Sequence, residues 1–207
     1  MALEASHIRF ALDLKEKYHV TDIQRYLSGT LYPDSRYSTG IARRLTHPNE
    51  GIFGEDDFKK GWQAHLMVDD IQLTLIRNAM PDVFGGEIRQ NSDEWVKLTA
   101  IKVLQDIDDC KKFDIARYLS FVAENPNNED IEVIKKYNNV VSEMYSRPES
   151  INIDSYSVVW KVFGLSEELA EKITTQTEEY SADERVMQLV ASLYGGVLEK
   201  IQTNSSL

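Results

Sequence analysis

The sequence predicts an all-α fold that forms a single compact multi-helix domain. Apolar residues recur at spacings of three and four along most of the chain, whereas the alternation typical of strands is scarce. With 207 residues, 42% of them hydrophobic and 28% charged, the chain has the composition and length of a globular protein with a sizeable core. We expect one helical domain over residues 1–201 and a disordered tail over residues 202–207.

The N-terminal part of the chain predicts two helices followed by a loop. The apolar face of the first helix runs from His7 to Tyr18. The motif T-D-I-Q at 21–24 has the form of a capping box, which opens a short second helix. Residues 28–54 are rich in Gly, Pro, Ser and Thr, so we predict a loop with short helical turns there.

A long helix is predicted over about 55–77. Three acidic residues open it, where the helix dipole is positive. Side chains at spacings of three and four then form one stripe, which consists of Phe58, Trp62, His65, Asp69, Leu73 and Ile76. Residues 78–92 contain helix breakers and predict a second long loop, a candidate wall for a cleft. Further helices are predicted over 93–110, 113–124, 129–146, 151–163 and 166–201, with the motif S-A-D-E at 181–184 restarting the last one.

Composition and charge exclude several classes of function. The formal charge of -11 opposes binding to duplex nucleic acid, which requires Lys and Arg to displace counterions. Cys110 is the only cysteine, so the chain forms no internal disulfide and no thiolate-rich zinc site. No run approaches the roughly 18 apolar residues of a transmembrane segment, and charges interrupt the N-terminal window of a signal peptide. We therefore expect a cytoplasmic protein.

The pair formed by His65 and Asp69 is the first candidate for chemistry. Residues four apart project from the same helix face, so this imidazole and this carboxylate can bind one metal ion. The two ligand types suit zinc or another divalent transition metal. Taken alone, the pair favours a buried hydrogen bond, in which the aspartate accepts the ring N–H, over a set of metal ligands.

Other polar residues add to that pair. His7 faces inward on the first helix, Asp34 follows Pro33, and His47 precedes Pro48. A proline next to a ligand stiffens the loop, which lowers the entropy cost of assembling a site. Five potential ligands thus lie on two apolar helix faces and one loop, which favours metal binding.

The order of these motifs resembles the zinc-dependent phospholipase C and S1/P1 nuclease group, in particular its small bacterial members of unassigned activity. The matching stretches are ASHIRFA, YLSGTLYPDS, LTHP and GWQAHLMVDD, which cover about residues 5–70. That group is all-helical, with metal ligands from an early helix, a G-x-x-x-P-D loop, a T/S-H motif and an H-x-x-x-D helix. The ligands that the resemblance implies are His7, Asp34, His47, His65 and Asp69.

The resemblance implies a metal-dependent phosphohydrolase that acts on a small phosphoester, with metal-activated water as the nucleophile. Asp34 would double as the catalytic base. Enzymes of the group hold three zinc ions and use further histidines after the H-x-x-x-D helix, but this chain has no histidine after His65. We therefore expect one or two ions of zinc or another divalent transition metal.

A cluster of arginines, Arg36, Arg43 and Arg44, lies within the loop and is a candidate for binding the substrate phosphate. The same cluster also fits a solvated patch that pairs with surface acids, and Tyr32 and Tyr37 fit either a pocket or the core. The competing hypothesis is a non-catalytic helical binding protein, with a structural metal or a buried His/Asp hydrogen-bond network. The oligomeric state is left open.

Overall fold

The computed structural model describes residues 3–203, and every regular element in that range is helical. The α-helices are α1 (Glu4–Leu14), α2 (Ile23–Leu31), α3 (Arg36–Thr39), α4 (Arg43–Thr46), α5 (Asp57–Ala79), α6 (Pro81–Phe84), α7 (Asp93–Lys112), α8 (Ile131–Met144), α9 (Ile153–Val162), α10 (Glu167–Ser181) and α11 (Glu184–Thr203). Single 3-10 turns cover Tyr32–Ser35, Ile115–Tyr118 and Pro148–Ser150. The predicted all-α fold class is confirmed.

The core is built around two long helices, α5 and α7. Helix α5 packs against α1, α2 and α11, while α7 packs against α1, α10 and α11. The largest cluster of buried apolar side chains runs from Leu3 to Ile201, so helices from both ends of the chain share one core. The described residues therefore form one compact multi-helix domain. None of their helices is long and apolar enough to cross a membrane.

Helices α2 and α5 cross at very short distance because glycines occupy the contact. A Cβ atom on Gly29 would lie 1.8 Å from the carbonyl oxygen of Phe58, and one on Gly61 would lie 1.9 Å from that of Tyr26. Only residues without a side chain allow the two backbones to approach this closely. Helix α2 continues to Leu31, so the loop predicted to begin at residue 28 begins later.

The capping box predicted at residues 21–24 is wrong. The N-cap of α2 is Asp22, whose carboxylate accepts a hydrogen bond from the backbone N–H of Arg25. Thr21 instead donates its hydroxyl to Asp57 at 2.8 Å, and its backbone N–H donates to the same oxygen. Because Asp57 is the first residue of α5, this contact joins the starts of two helices that supply the site.

The helix predicted over residues 113–124 is also wrong. A single 3-10 turn, Ile115–Tyr118, is the only regular element there. The backbone N–H of Val122 donates to the hydroxyl of Ser28 at 2.7 Å. Because a side chain of α2 satisfies this backbone group, the segment is stabilised against α2 in a non-helical conformation.

The predicted break before the last helix is confirmed, but its cap differs. Asp183, rather than the serine of the S-A-D-E motif, accepts hydrogen bonds from the backbone N–H groups of Arg185 and Val186. Helix α11 continues through residues 202–203, which were predicted to belong to a disordered tail. The rest of that tail, 204–207, lies outside the described residues.

Candidate metal centre

The five predicted ligands converge on one buried cluster. Three come from helices α1 and α5, one from the 3-10 turn that follows α2, and one from the end of α4. Two overlapping groups have ligand atoms that all lie within 4.8 Å of one another, and they share His65. One consists of His7, Asp34 and His65, and the other of His47, His65 and Asp69.

The distances within the cluster lie close to those between ligands of one metal ion. The Nε2 atom of His65 lies 3.7 Å from a carboxylate oxygen of Asp34 and 3.7 Å from one of Asp69. The Nε2 atoms of His7 and His47 lie 3.6 and 3.8 Å from oxygens of Asp69. Hydrogen bonds of this type are shorter, about 2.7–3.2 Å. Ligands about 2.0–2.2 Å from a tetrahedral ion are separated from each other by roughly 3.4 Å.

His65 is oriented by the close crossing of α2 and α5. Its Nδ1 atom lies 2.9 Å from the carbonyl oxygen of Thr30, which can only accept a hydrogen bond. The proton therefore resides on Nδ1, and the lone pair of Nε2 is directed into the cluster, where it has no hydrogen-bond partner. A carbonyl behind a histidine is the usual support for a metal ligand. The His65 ring also stacks on His7 at 4.0 Å.

His47 has a similar support from its neighbour in the chain. The hydroxyl of Thr46 donates to the carbonyl oxygen of Arg43 at 3.3 Å, so its oxygen is left to accept a hydrogen bond from the Nδ1–H of His47 at 2.9 Å. This arrangement leaves the Nε2 lone pair of His47 facing Asp69. His47 and His65 are thus both held by a contact to Nδ1 that leaves Nε2 directed into the cluster.

Burial and charge keep these groups in the protonation states that a metal requires. Burial lowers the pKa of His65 well below its usual value, with a contribution from His7, and burial also lowers the pKa of His47. Burial raises the pKa of Asp69, but the ammonium of Lys102 outweighs the effect of burial and holds that pKa well below the usual range. The pKa of Asp34 is also lowered, although burial acts to raise it. Neutral imidazoles and ionised carboxylates result.

The sequence analysis does not predict that Lys102, on α7, belongs to the site. Its ammonium lies 2.5 Å from Asp69 Oδ1, and its side chain is buried. No motif marks it, because it comes from a helix 33 positions further along the chain. The available signal is a lysine inside the apolar run A-I-K-V-L, a place where a charged side chain requires a partner.

A cleft of about 720 Å³ opens beside Asp69, which is 15% exposed and is the most accessible of the five residues. Its polar wall includes Arg36, Arg43 and Lys102. Apolar side chains form the rest of the lining and include Ile52, Phe53, Met67, Leu73, Ile88 and Trp95. The loop over residues 78–92 thus contributes to a cleft wall, as the sequence predicted.

The arginines occupy three different environments. Arg36 is buried, with its guanidinium 3.9 Å from the ring of Tyr37 and a hydrogen bond to Gln90 at 3.3 Å. Arg43 is exposed on the cleft, whereas Arg44 is exposed outside the cleft lining. The two tyrosines also separate, because Tyr37 lines the cleft and Tyr32 is buried in an apolar cluster.

A second buried cluster, on α1 and α7, has no counterpart in the sequence prediction. Glu4 accepts hydrogen bonds from the hydroxyls of Tyr137 and Tyr145 at 3.0 and 3.2 Å. Asp106 accepts from Tyr145 and Tyr156 at 2.7 and 2.5 Å. Burial and repulsion by Asp106 raise the pKa of Glu4 to about 8, and burial raises the pKa of Asp106 to about 6.

Comparison of the chain with protein-family models, curated proteins and solved structures returned no match. The geometry of the residues is therefore the basis for the function proposed below.

Proposed function

We propose that this protein is a metal-dependent phosphohydrolase that uses zinc or another divalent transition metal and acts on a small phosphoester. One observation carries the proposal. Two carboxylates and three imidazoles, with nitrogen–oxygen distances of 3.6–3.8 Å, meet a cleft at their most exposed member, Asp69, and that cleft is lined by two arginines, Arg36 and Arg43. Such a site can hold an ion on one side and an anionic substrate on the other.

When bound, a divalent ion would acidify a water molecule and stabilise negative charge on a phosphoryl oxygen. The residues of the chain supply the remaining functions. His65 and His47 present neutral lone pairs, while Asp34 and Asp69 remain ionised. A carboxylate with a lowered pKa is a weak proton acceptor, which favours the ligand role of Asp34 over the role of general base.

The two arginines of the cleft favour a phosphate group over an uncharged substrate. Arg36 is held in place by Tyr37 and Gln90, so its guanidinium is ordered before a substrate binds. Arg43 is exposed at the edge of the cleft. Guanidinium groups bind two phosphate oxygens at once, and a fixed guanidinium loses little entropy in doing so.

The alternative hypothesis has less support. In a hydrogen-bond network the ring nitrogens would lie within about 3.2 Å of the carboxylates, and here they lie at 3.6–3.8 Å. A structural metal site is closed on all sides by protein ligands. The partial exposure of Asp69 and the adjoining cleft favour an open, catalytic site.

The finer parts of the proposal rest on the residues already described. Membership of the phospholipase C and S1/P1 nuclease group rests on the order of the four motifs that carry the five ligands. A cytoplasmic location rests on the single cysteine, which fits a reducing compartment.

Metal analysis combined with an assay of hydrolysis tests the proposed function. The protein is purified without chelators, its metal content is measured by mass spectrometry, and hydrolysis of bis-p-nitrophenyl and p-nitrophenyl phosphate is followed. We expect stoichiometric metal and hydrolysis from the natural chain and from His19→Asn, and loss of both in His65→Ala. His19 is an exposed histidine in a left-handed backbone conformation (φ 49°), which asparagine tolerates.

The possible results separate the hypotheses. Absence of stoichiometric metal would contradict the proposal. Bound metal without hydrolysis of either ester would favour the non-catalytic binding protein.

A further inference from the structure

The two oxygens of Asp69 face different partners. Oδ2 faces the Nε2 atoms of His47 and His65, at 3.8 and 3.7 Å. Oδ1 faces the Lys102 ammonium at 2.5 Å and His7 Nε2 at 3.6 Å. A carboxylate with nitrogen donors around both oxygens has the arrangement of a bridge between two cations. Here one of the two cation positions is taken by an ammonium group.

The position of Lys102 is fixed by side-chain hydrogen bonds between α7 and α5. One turn further along each helix, Gln72 donates to Gln105 at 2.6 Å, and both side chains are buried. This bond joins the same two helices as the Lys102–Asp69 pair and holds their register. The ammonium is therefore a built part of the centre, in contrast to a flexible surface lysine.

We propose that Lys102 takes the place of a second metal ion beside Asp69, so that the centre holds one divalent ion. This inference rests on the metal centre of the proposed function. It adds the number of ions and a residue that limits that number.

Charge explains why one ion suffices. Asp34 and Asp69 supply two carboxylates, imidazoles that bind a metal ion through a ring nitrogen add no charge, and Lys102 adds one positive charge. A single divalent ion leaves the centre with a net positive charge that can hold an anionic substrate. A second divalent ion would lie within about 5 Å of the ammonium on the same oxygen, where repulsion in a buried site is strong.

Counting bound ions tests the inference. The natural chain, Lys102→Glu, Lys102→Met and the control Lys112→Met are equilibrated with zinc, freed of excess metal and analysed by mass spectrometry. Lys112 is at the exposed end of the same helix and forms a comparable pair with Asp108 at 2.6 Å. We expect one ion per chain in the natural protein and in the control. Lys102→Glu, which replaces the ammonium by a carboxylate beside Asp69 and His7, is expected to bind two.

Circular dichroism shows whether Lys102→Glu folds. Lys102→Met, which preserves the volume of the side chain without a buried charge, tests the inference if the charged variant misfolds. Its zinc titration is expected to show a second binding event that the natural chain lacks. Two ions in the natural chain, or a Lys102→Met titration that superimposes on the natural one, would overturn the role of Lys102 and leave the metal centre in place. A folded natural chain that binds no zinc would instead overturn the metal centre itself.

Discussion

Removal of His65 is the most direct perturbation of the proposed centre. The His65→Ala variant loses the nitrogen that is shared by both groups of candidate ligands. It also loses the hydrogen bond to Thr30 and the stacking on His7, so the metal-free variant is expected to be less stable by about 2–4 kcal/mol. The response to zinc separates this structural cost from the loss of a ligand.

Linkage sets the size of that response. At free zinc one hundred times above the dissociation constant, binding stabilises the folded chain by about 2.7 kcal/mol. For a chain of 207 residues this corresponds to a rise in Tm of about 5–10 °C. Loss of a ligand weakens binding by about a hundredfold or more, which reduces the stabilisation to about 0.4 kcal/mol and the rise in Tm to about 1 °C.

Thermal unfolding followed by circular dichroism, with chelator and with zinc, measures both quantities. His19→Asn is the matched control and is expected to keep the full response to zinc. If His65→Ala is too unstable to study, the nearly isosteric Asp34→Asn is expected to lose the response with a smaller change in metal-free stability. An undiminished zinc response in both variants would refute the assignment of these residues as ligands.

Three further predictions follow from the described contacts. In the folded chain the pKa of Glu4 is about 8, above the ordinary 4.5, so its contribution to the free energy of unfolding is full below pH 4.5 and is lost as pH rises towards 8. The loss amounts to up to about 5 kcal/mol. Glu4→Gln removes this titration and is expected to flatten the pH dependence of the free energy of unfolding, measured with urea. Gly61→Ala is expected to destabilise by about 3 kcal/mol or more, because its Cβ would overlap the α2 backbone. Gly195→Ala, in open space on α11, is expected to stabilise by up to about 1 kcal/mol, and equal Tm values for the two variants would contradict this reasoning. Arg43→Ala is expected to raise KM for a phosphoester severalfold while its neighbour Arg44→Ala leaves KM unchanged; steady-state kinetics that rank them otherwise would remove Arg43 from the substrate site.

Much of the helical structure follows from local patterns. The apolar period places α5 close to its predicted limits, since each turn of a helix repeats the same face. The errors occur where a distant partner changes a local preference. Thr21 has the form of an N-cap, yet its hydroxyl is used by Asp57, and the segment near Val122 is bound by Ser28 of another helix.

The candidate site divides in the same way. His65 and Asp69 are four residues apart, so their shared face follows from helix geometry alone, and the ordered motifs add His7, Asp34 and His47. Their convergence within 4.8 Å is a property of the packed helices.

The sequence by itself determines the helical class and the chemical types of the predicted ligands, because periodicity and spacing act over a few turns of one helix. The ammonium of Lys102, the separation of Arg43 from Arg44 and the carbonyl that orients His65 depend on which helices meet. Close contact between α2 and α5 requires Gly29 and Gly61 to face each other, and nothing in either helix alone specifies that partner. These features were decided by tertiary packing, which joins residues far apart in the chain.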